Sequence, residues 1–273
     1  MIGLGLNISS VSSESGGVSR GVSFSNTKSL SFDGTNDFAN WSSNSVIPNL
    51  MAGGDFSWSY WVKKADFIGA GSGYNSQFFY ALNFFGSGIS TFLLGAVGEE
   101  SHGTQARKIT ASCVRGTGSG STYFSWVSNS SIASAFNNDA WNHVVFTFDT
   151  SGSSRLVECY VNGSEIAGTD STSNNTKASL SGVDFGDIAL GSQTFNAGSN
   201  TFDAGELDEI SCYDKKLSSS EVTAIYNSGV PTDESSRSNL VGYWRLEDDG
   251  TDSSSNSNTL TISGATFTTD VPS

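Results

Sequence analysis

The chain has little of what most enzyme and metal chemistry is built from. It holds two histidines and three cysteines in 273 residues. No His-rich metal centre can be made from that. Cys113, Cys159 and Cys212 form neither a CxxC zinc pattern nor a disulfide framework. Charged residues are only 15%, and 13 basic residues face 27 acidic ones, a formal charge of −14. That balance repels nucleic-acid phosphates and anionic lipid surfaces alike. No window approaches 18 apolar residues, so no transmembrane helix is expected. The opening Met1-Ile2-Gly3-Leu4-Gly5-Leu6 lacks the basic and apolar regions of a secretory signal, which points to synthesis in a cytoplasm.

What is there is serine (52), glycine (31) and aromatic side chains (12%), including 18 Phe and 6 Trp. Disordered chains are poor in aromatics, whereas pleated, half-buried surfaces favour them. In Asp55–Lys64, Phe56, Trp58, Tyr60 and Val62 fall on one face, with Ser57, Ser59 and Lys63 on the other. Trp61 breaks the alternation, as expected where both faces are covered. Trp141–Asp149 carries Val144, Phe146 and Phe148 in phase. Leu156–Val161 runs into Asn162-Gly163, a strong hairpin signal, with a return strand from Ser164. Further strands are expected at 28–33, 77–84, 89–96, 107–114, 121–127, 186–191, 206–213, 240–246 and 259–267.

One helix is expected over about 219–227. Ser218 and Glu221 make a capping box, Leu217 can staple onto Val222, Gly229 marks the stop and Pro231 prevents continuation. Val222, Ile225 and Tyr226 form its packing stripe, and a helix this short must lie on other structure. The fold expected is therefore all-β, a two-sheet antiparallel jelly-roll sandwich with this one helix. Residues 1–27 read as an attachment arm and 28–231 as the sandwich. Residues 232–273 read as a linker and C-terminal strands that complete the same or a neighbouring sandwich.

Two oxygen-rich stretches are candidate cation sites. Asp33-Gly34-Thr35-Asn36-Asp37 is a tight turn. In Gly205–Tyr213, strict alternation puts Asp208 on the face of Ile210 and Cys212, pointing inward. A buried carboxylate needs donors, a cation or a raised pKa. Asp33 and Asp208, with Asn36 and Glu206 as further ligands, are the set expected to hold a structural Ca²⁺. The alternative is a plain turn and an Asp208 satisfied by backbone N–H groups. Asp248, Asp249 and Asp252 with Asn256 and Asn258 read as a solvated loop.

Ser29–Phe38, Phe56–Lys63, Trp141–Asp149, Tyr160–Gly163 and Gly205–Tyr213 with the capped helix together resemble the laminin-G-like, or concanavalin A-like lectin/glucanase, sandwich family over about 28–229. Asn239–Leu246 resembles a segment that usually opens such domains and here stands at the C-terminal end. The overall texture resembles virion-associated proteins of marine tailed bacteriophages. That resemblance implies a non-enzymatic virion structural protein, a capsid decoration or a tail or fibre component, with other virion proteins as partners; open sheet edges point to homo-oligomers, and the acidic charge to no nucleic-acid or membrane contact. The alternative is a carbohydrate-binding module for host surface glycan. Family glucanases carry Glu-x-Asp-x-Glu or Glu-x-Asp-x-x-Glu. Here Glu206 and Asp208 are followed by Ile210 and Ser211, so the second catalytic carboxylate is missing and glycan hydrolysis is the less favoured reading. Candidate sugar platforms are Trp41, Tyr74, Phe136, Phe195 and Phe202, each of which could instead be core.

Overall fold

The computed structural model describes residues 24–41, 54–70, 74–76, 79–80, 89–98, 100–101, 103–115, 122–149, 156–170, 188–192 and 202–273. Most of the arm, residues 1–23, lies outside them. In chain order the strands are Ser29–Asp33 (β1), Phe38–Trp41 (β2), Phe56–Lys63 (β3), Tyr74–Ser76 (β4), Phe79–Tyr80 (β5), Ile89–Gly98 (β6), Ile109–Arg115 (β7), Thr122–Ser128 (β8), Trp141–Asp149 (β9), Leu156–Val161 (β10), Ser164–Ile166 (β11), Gly168–Asp170 (β12), Ile188–Leu190 (β13), Ala204–Tyr213 (β14), Leu240–Trp244 (β15), Thr261–Ser263 (β16) and Thr266–Thr268 (β17). One sheet runs β11-β10-β9-β3-β14-β1-β17, with β15 also on β14. The other runs β12-β8-β7-β6-β5-β13-β2-β16, with β4 on β6. The pairings are antiparallel, and the two inner faces enclose the core, as in an aligned sandwich.

The alternation of β3 decides which side is inside. Phe56, Trp58, Tyr60 and Val62 join the core with Val144, Phe146 and Phe148 of β9. Phe56 stacks on Phe148 at 4.2 Å between ring centroids. Trp41, Trp58 and Trp244 come from three distant segments and meet in the middle, with Trp41 4.6 Å from Trp244 and 5.6 Å from Trp58. The opposite face of the first sheet carries serines, which let another element approach closely. Helix Ser219–Tyr226 (α1) uses that space: Ser57 Oγ donates to the Lys215 carbonyl at 2.8 Å and accepts from Leu217 N–H at 2.9 Å. Leu217, Val222 and Ile225 bury against Val145, Tyr160 and Tyr213.

The capping box forms as expected: Ser218 Oγ accepts from Glu221 N–H at 3.4 Å, and Glu221 Oε2 accepts from Ser218 N–H at 3.0 Å. The stop comes earlier than the glycine. Asn227 adopts the left-handed conformation (φ 44) and caps the helix, with its N–H on the Thr223 carbonyl. Asn tolerates that conformation because its short side chain bonds locally. At Asn162-Gly163 both residues have positive φ (50 and 74) and connect β10 to β11 as the hairpin signal predicts.

The C-terminal strands pair within this chain. β15 continues the edge that β1 occupies on β14, β16 pairs β2, and β17 pairs β1. The single strand expected at 259–267 is thus two, one in each sheet, divided by Gly264 at φ 81. A side chain at Gly264 would strike Asp37 Oδ1, since an added Cβ would lie 2.2 Å from it. The body also begins before residue 28. Thr27 N–H donates to Glu247 Oε1 at 2.7 Å, and Arg245 lies 4.7 Å over the Phe24 ring.

Strict alternation fails in β14. Asp208 pairs with Trp61 and Ser211 with Ser59, so Glu209 and Ile210 together face Tyr60. This is a β-bulge, with Glu209 at φ 45. Leu207, Ile210 and Cys212 point into the core. Asp208 therefore points to the outer face, away from Ile210 and Cys212, contrary to the sequence expectation.

Candidate functional site

The four residues expected to share a cation do not converge. Asp33 is opposite Ala204, four residues along β14 from Asp208, a rise of about 13 Å. Asp33 Oδ1 accepts from Thr35 N–H at 2.7 Å, a side-chain turn, and both Asp33 and Asn36 are exposed. Asp208 is fully buried; its Oδ2 accepts from Asn26 Nδ2 at 2.8 Å and its Oδ1 from Glu209 N–H at 2.9 Å. Burial pushes its carboxyl well above the usual range. Glu206 instead lies 3.9 Å from Lys63. A Ca²⁺ ion held jointly by Asp33 and Asp208 does not fit this geometry. Among the described residues no three His, Cys, Asp or Glu side chains come together as a metal site.

In the second oxygen-rich stretch Asp248, Asp249 and Asn256 are exposed, as a solvated loop would have them, but Asp252 and Asn258 are buried. Asp252 is 6% exposed. Its carboxylate accepts from the N–H groups of Tyr243 (2.9 Å), Ser254 (2.8 Å) and Asn258 (2.8 Å), and from Asn258 Nδ2 (3.0 Å). It knots the 245–258 segment against β15.

Of the expected sugar platforms, Trp41 is 1% exposed and belongs to the tryptophan cluster of the core. Its small, polar neighbours leave a surface platform and a core position both open, and β2 turns it inward. Tyr74 lies in β4, where only the backbone is described, and Phe195 falls outside the described residues. Phe202 is half-buried, with its backbone bridged to Ser192. Phe136 packs on Phe67 at 4.6 Å between centroids. Together with Ile132, Asn137 and Asn138 they line a cavity of about 350 Å³.

A larger cavity, about 430 Å³, adjoins it at Asn137 and draws on five separate segments. The end of β3 gives Trp61 and Lys63, and the start of β9 gives Trp141. In the β3–β9 register Lys63 faces Trp141 and Trp61 faces His143, so all four share the outer face. The end of α1 adds Tyr226, the 137–140 loop adds Asn137 and Asp139, and the C-terminal residues add Asp270. Trp61, 2% exposed, is the floor. Tyr226 stacks over it at 5.9 Å, at an interplanar angle of 24°. Beneath them His143 is buried, with Nε2 2.8 Å from Ser59 Oγ. Burial drives its pKa down to about 3, so the imidazole is neutral and acts as packing.

The polar rim is rigid. Buried Asn142 uses its whole amide. Its Nδ2 donates to the carbonyls of Asn137 and Ala140, both at 2.9 Å, while its Oδ1 accepts from Asn137 N–H and Asn162 Nδ2, both at 3.0 Å. Asn162 Oδ1 in turn accepts from His143 N–H at 2.9 Å. The 137–140 loop is thereby pinned to the β10–β11 hairpin. Asp270 Oδ1 accepts from Trp141 Nε1 at 2.8 Å, while its Oδ2 pairs with Lys63. The Lys63 hydrogen bond holds the Asp270 carboxyl below its usual range, and Asp270 in return raises the Lys63 ammonium. Aromatic faces beside fixed amide and carboxylate groups, in a cavity of this size, suit a small polar ligand with apolar faces.

The sequence pattern marks Tyr226 as helix packing, Asn162 as a hairpin turn and Trp61 as out of phase, and none of them as a binding site. Trp61 carried the one usable signal, a bulky ring out of phase in an otherwise alternating strand. The rest become neighbours only through strand register and the path of the C-terminal segment.

Comparison with known proteins places the fold. Residues 33–223 match the laminin G family model described as the concanavalin A-like lectin/glucanases superfamily. The chain belongs to that superfamily. No curated protein sequence matches it. Among solved structures, it superposes with a TM-score of 0.55 and 15% identity on a Bacteroides ovatus protein described as a candidate carbohydrate binding protein, covering 90% of this chain and 61% of that one. A family 40 carbohydrate-binding module of a Ruminococcus gnavus sialidase, bound to sialyllactose, gives 0.49 and 16%, covering 73% and 97%. A heptameric pentraxin of Limulus polyphemus gives 0.47 and 12%, covering 87% and 94%.

Proposed function

We propose that the protein is a lectin-like carbohydrate-binding module whose site is the cavity between Trp61, Trp141 and Tyr226. The observation that carries this reading is the pairing of aromatic faces with a pre-set polar rim. A sugar ring has an apolar face that packs on an aromatic ring and hydroxyl groups that need fixed donors and acceptors. Asn137 and Asp139 supply those groups beside the Lys63–Asp270 ion pair, and the Asn142–Asn162 network fixes the loop before any ligand arrives, which lowers the entropy cost of binding. The fold relationship to a candidate carbohydrate binding protein supports the same reading.

We read the site as binding without hydrolysis. Asp208 is sealed from solvent and Glu206 faces Lys63, so β14 does not present an open acid pair. The virion role expected from the sequence is compatible with this activity, as a display protein carrying a sugar site; copy number in purified particles tests it. The carbohydrate reading is tested on a glycan array followed by calorimetry. Tyr226→Ala and Trp141→Ala are each expected to weaken the best ligand at least about tenfold, in keeping with the loss of one aromatic contact. A wild-type protein that binds no glycan, or binding that survives both substitutions, refutes it.

A further inference from the structure

The charges around the cavity narrow the ligand class. Three carboxylates surround one ammonium there: Asp139 and Asp270 on the wall, and Glu206 behind Lys63. Lys63 is already engaged by Asp270, whose other oxygen accepts from Trp141. Asp139 is different. It is exposed on the cavity rim, and no described donor hydrogen-bonds its carboxylate. Its backbone is nonetheless held at φ 60, a conformation uncommon outside glycine, by its N–H on the Lys64 carbonyl at 2.8 Å and by the Asn142 anchor one turn away. An acid fixed in this way at the mouth of an aromatic cavity, where carboxylates outnumber the one ammonium, is arranged to meet a cation.

We propose that the ligand is an oligosaccharide bearing free amino groups, a glucosamine-type polycation, whose ammonium pairs with Asp139 while a sugar face packs on Tyr226 and Trp141, and that sugars bearing carboxylates are excluded. This rests on the carbohydrate-binding reading above. A carboxylate entering the cavity would meet Asp139, and the one cation among the described lining residues, Lys63, is already paired with Asp270. The protein's overall charge of −14 acts in the same direction at longer range.

The test is calorimetry on the full chain with three probes: a glucosamine oligomer, the fully N-acetylated oligomer of the same length, and sialyllactose. The free-amine oligomer is expected to bind at least about tenfold tighter than the acetylated one at low salt. The ratio should shrink at about 0.5 M salt, where screening lengths fall below the site's dimensions. It should also fall toward one in Asp139→Asn, a change the left-handed backbone tolerates; an unchanged melting temperature confirms that this variant is folded. Sialyllactose should bind weakest of the three. Equal binding of the amine and acetylated oligomers, or sialyllactose binding as tightly as either, overturns the charge selection and leaves the carbohydrate reading in place. Failure of every oligosaccharide on the array and in calorimetry overturns both.

Discussion

Glu209 gives a measurable test of how the outer face of the first sheet is built. It occupies the β14 bulge at 1% exposure, where Tyr243 donates to its Oε2 and Arg245 Nε stands 3.5 Å from its Oε1. Burial, reinforced by the neighbouring Asp208 carboxyl, pushes its pKa up to about 9. In the unfolded chain a glutamate ionises near 4.3. The folded protein therefore keeps a proton that the unfolded chain releases. The resulting stability is complete below about pH 4.3 and is lost as pH rises toward 9. At about 1.4 kcal/mol per pH unit, the loss from pH 5 to pH 8 is on the order of 4 kcal/mol, a large part of a typical domain's stability. Burial raises Glu234 in the same direction. Glu209→Gln keeps the shape and an acceptor for Tyr243 without titrating. Urea unfolding across that range should show the wild-type midpoint falling more steeply with pH than the variant's, at constant m, so that the variant becomes the more stable of the two in alkali. Parallel pH profiles for the two proteins would refute the reasoning.

Other consequences are as direct. His143, with its pKa lowered to about 3 by burial, should contribute stability that is complete above about pH 6.5 and lost as pH falls toward 3, on the order of 5 kcal/mol in all; His143→Gln should flatten that acid limb in pH-dependent melting. Ser218→Ala removes the N-cap of α1 and should cost about 1 kcal/mol by chemical denaturation. Gly163→Ala places a Cβ 2.6 Å from Tyr226 Cδ1 at φ 74; it should lower stability by about 1–2 kcal/mol and weaken glycan binding in calorimetry through the displaced ring.

The sandwich was legible because β3 and β9, though buried on both faces, keep their large apolar side chains at period two on the core side, with Phe56, Trp58, Tyr60 and Val62 opposite serines and Val144, Phe146 and Phe148 in phase. The helix was legible because its capping box is local to residues 218–221. Reading failed where the backbone left that period. The bulge at Glu209 reversed the face of Asp208, and Gly264 split one expected strand between two sheets. Small polar neighbours left Trp41 open to either a surface or a core position. The candidate site was hidden for another reason. Trp61, Asp139, Trp141, Tyr226 and Asp270 lie on segments up to about two hundred residues apart, and only the pairing of β3 with β9 and the return of the C-terminal residues brings them together.

The route of β15, β16 and β17 has a consequence for how the molecule can be cut. The family match spans residues 33–223, yet β15, β16 and β17, which pair with β14, β2 and β1, lie outside that stretch. An excised 33–223 fragment would keep only the last residue of β1 and would lose Trp244 from between Trp41 and Trp58. It would also bare one edge of β14 and the β16-facing edge of β2, two open strand borders of the kind that recruit other chains. Recombinant truncation at the limits of sequence similarity should yield aggregates, whereas a cut before Phe24 that keeps the C-terminal clasp should yield a soluble sandwich. The clasp also supplies Asp270, so the segment that covers those strand edges is the same one whose carboxylate accepts from the Trp141 indole.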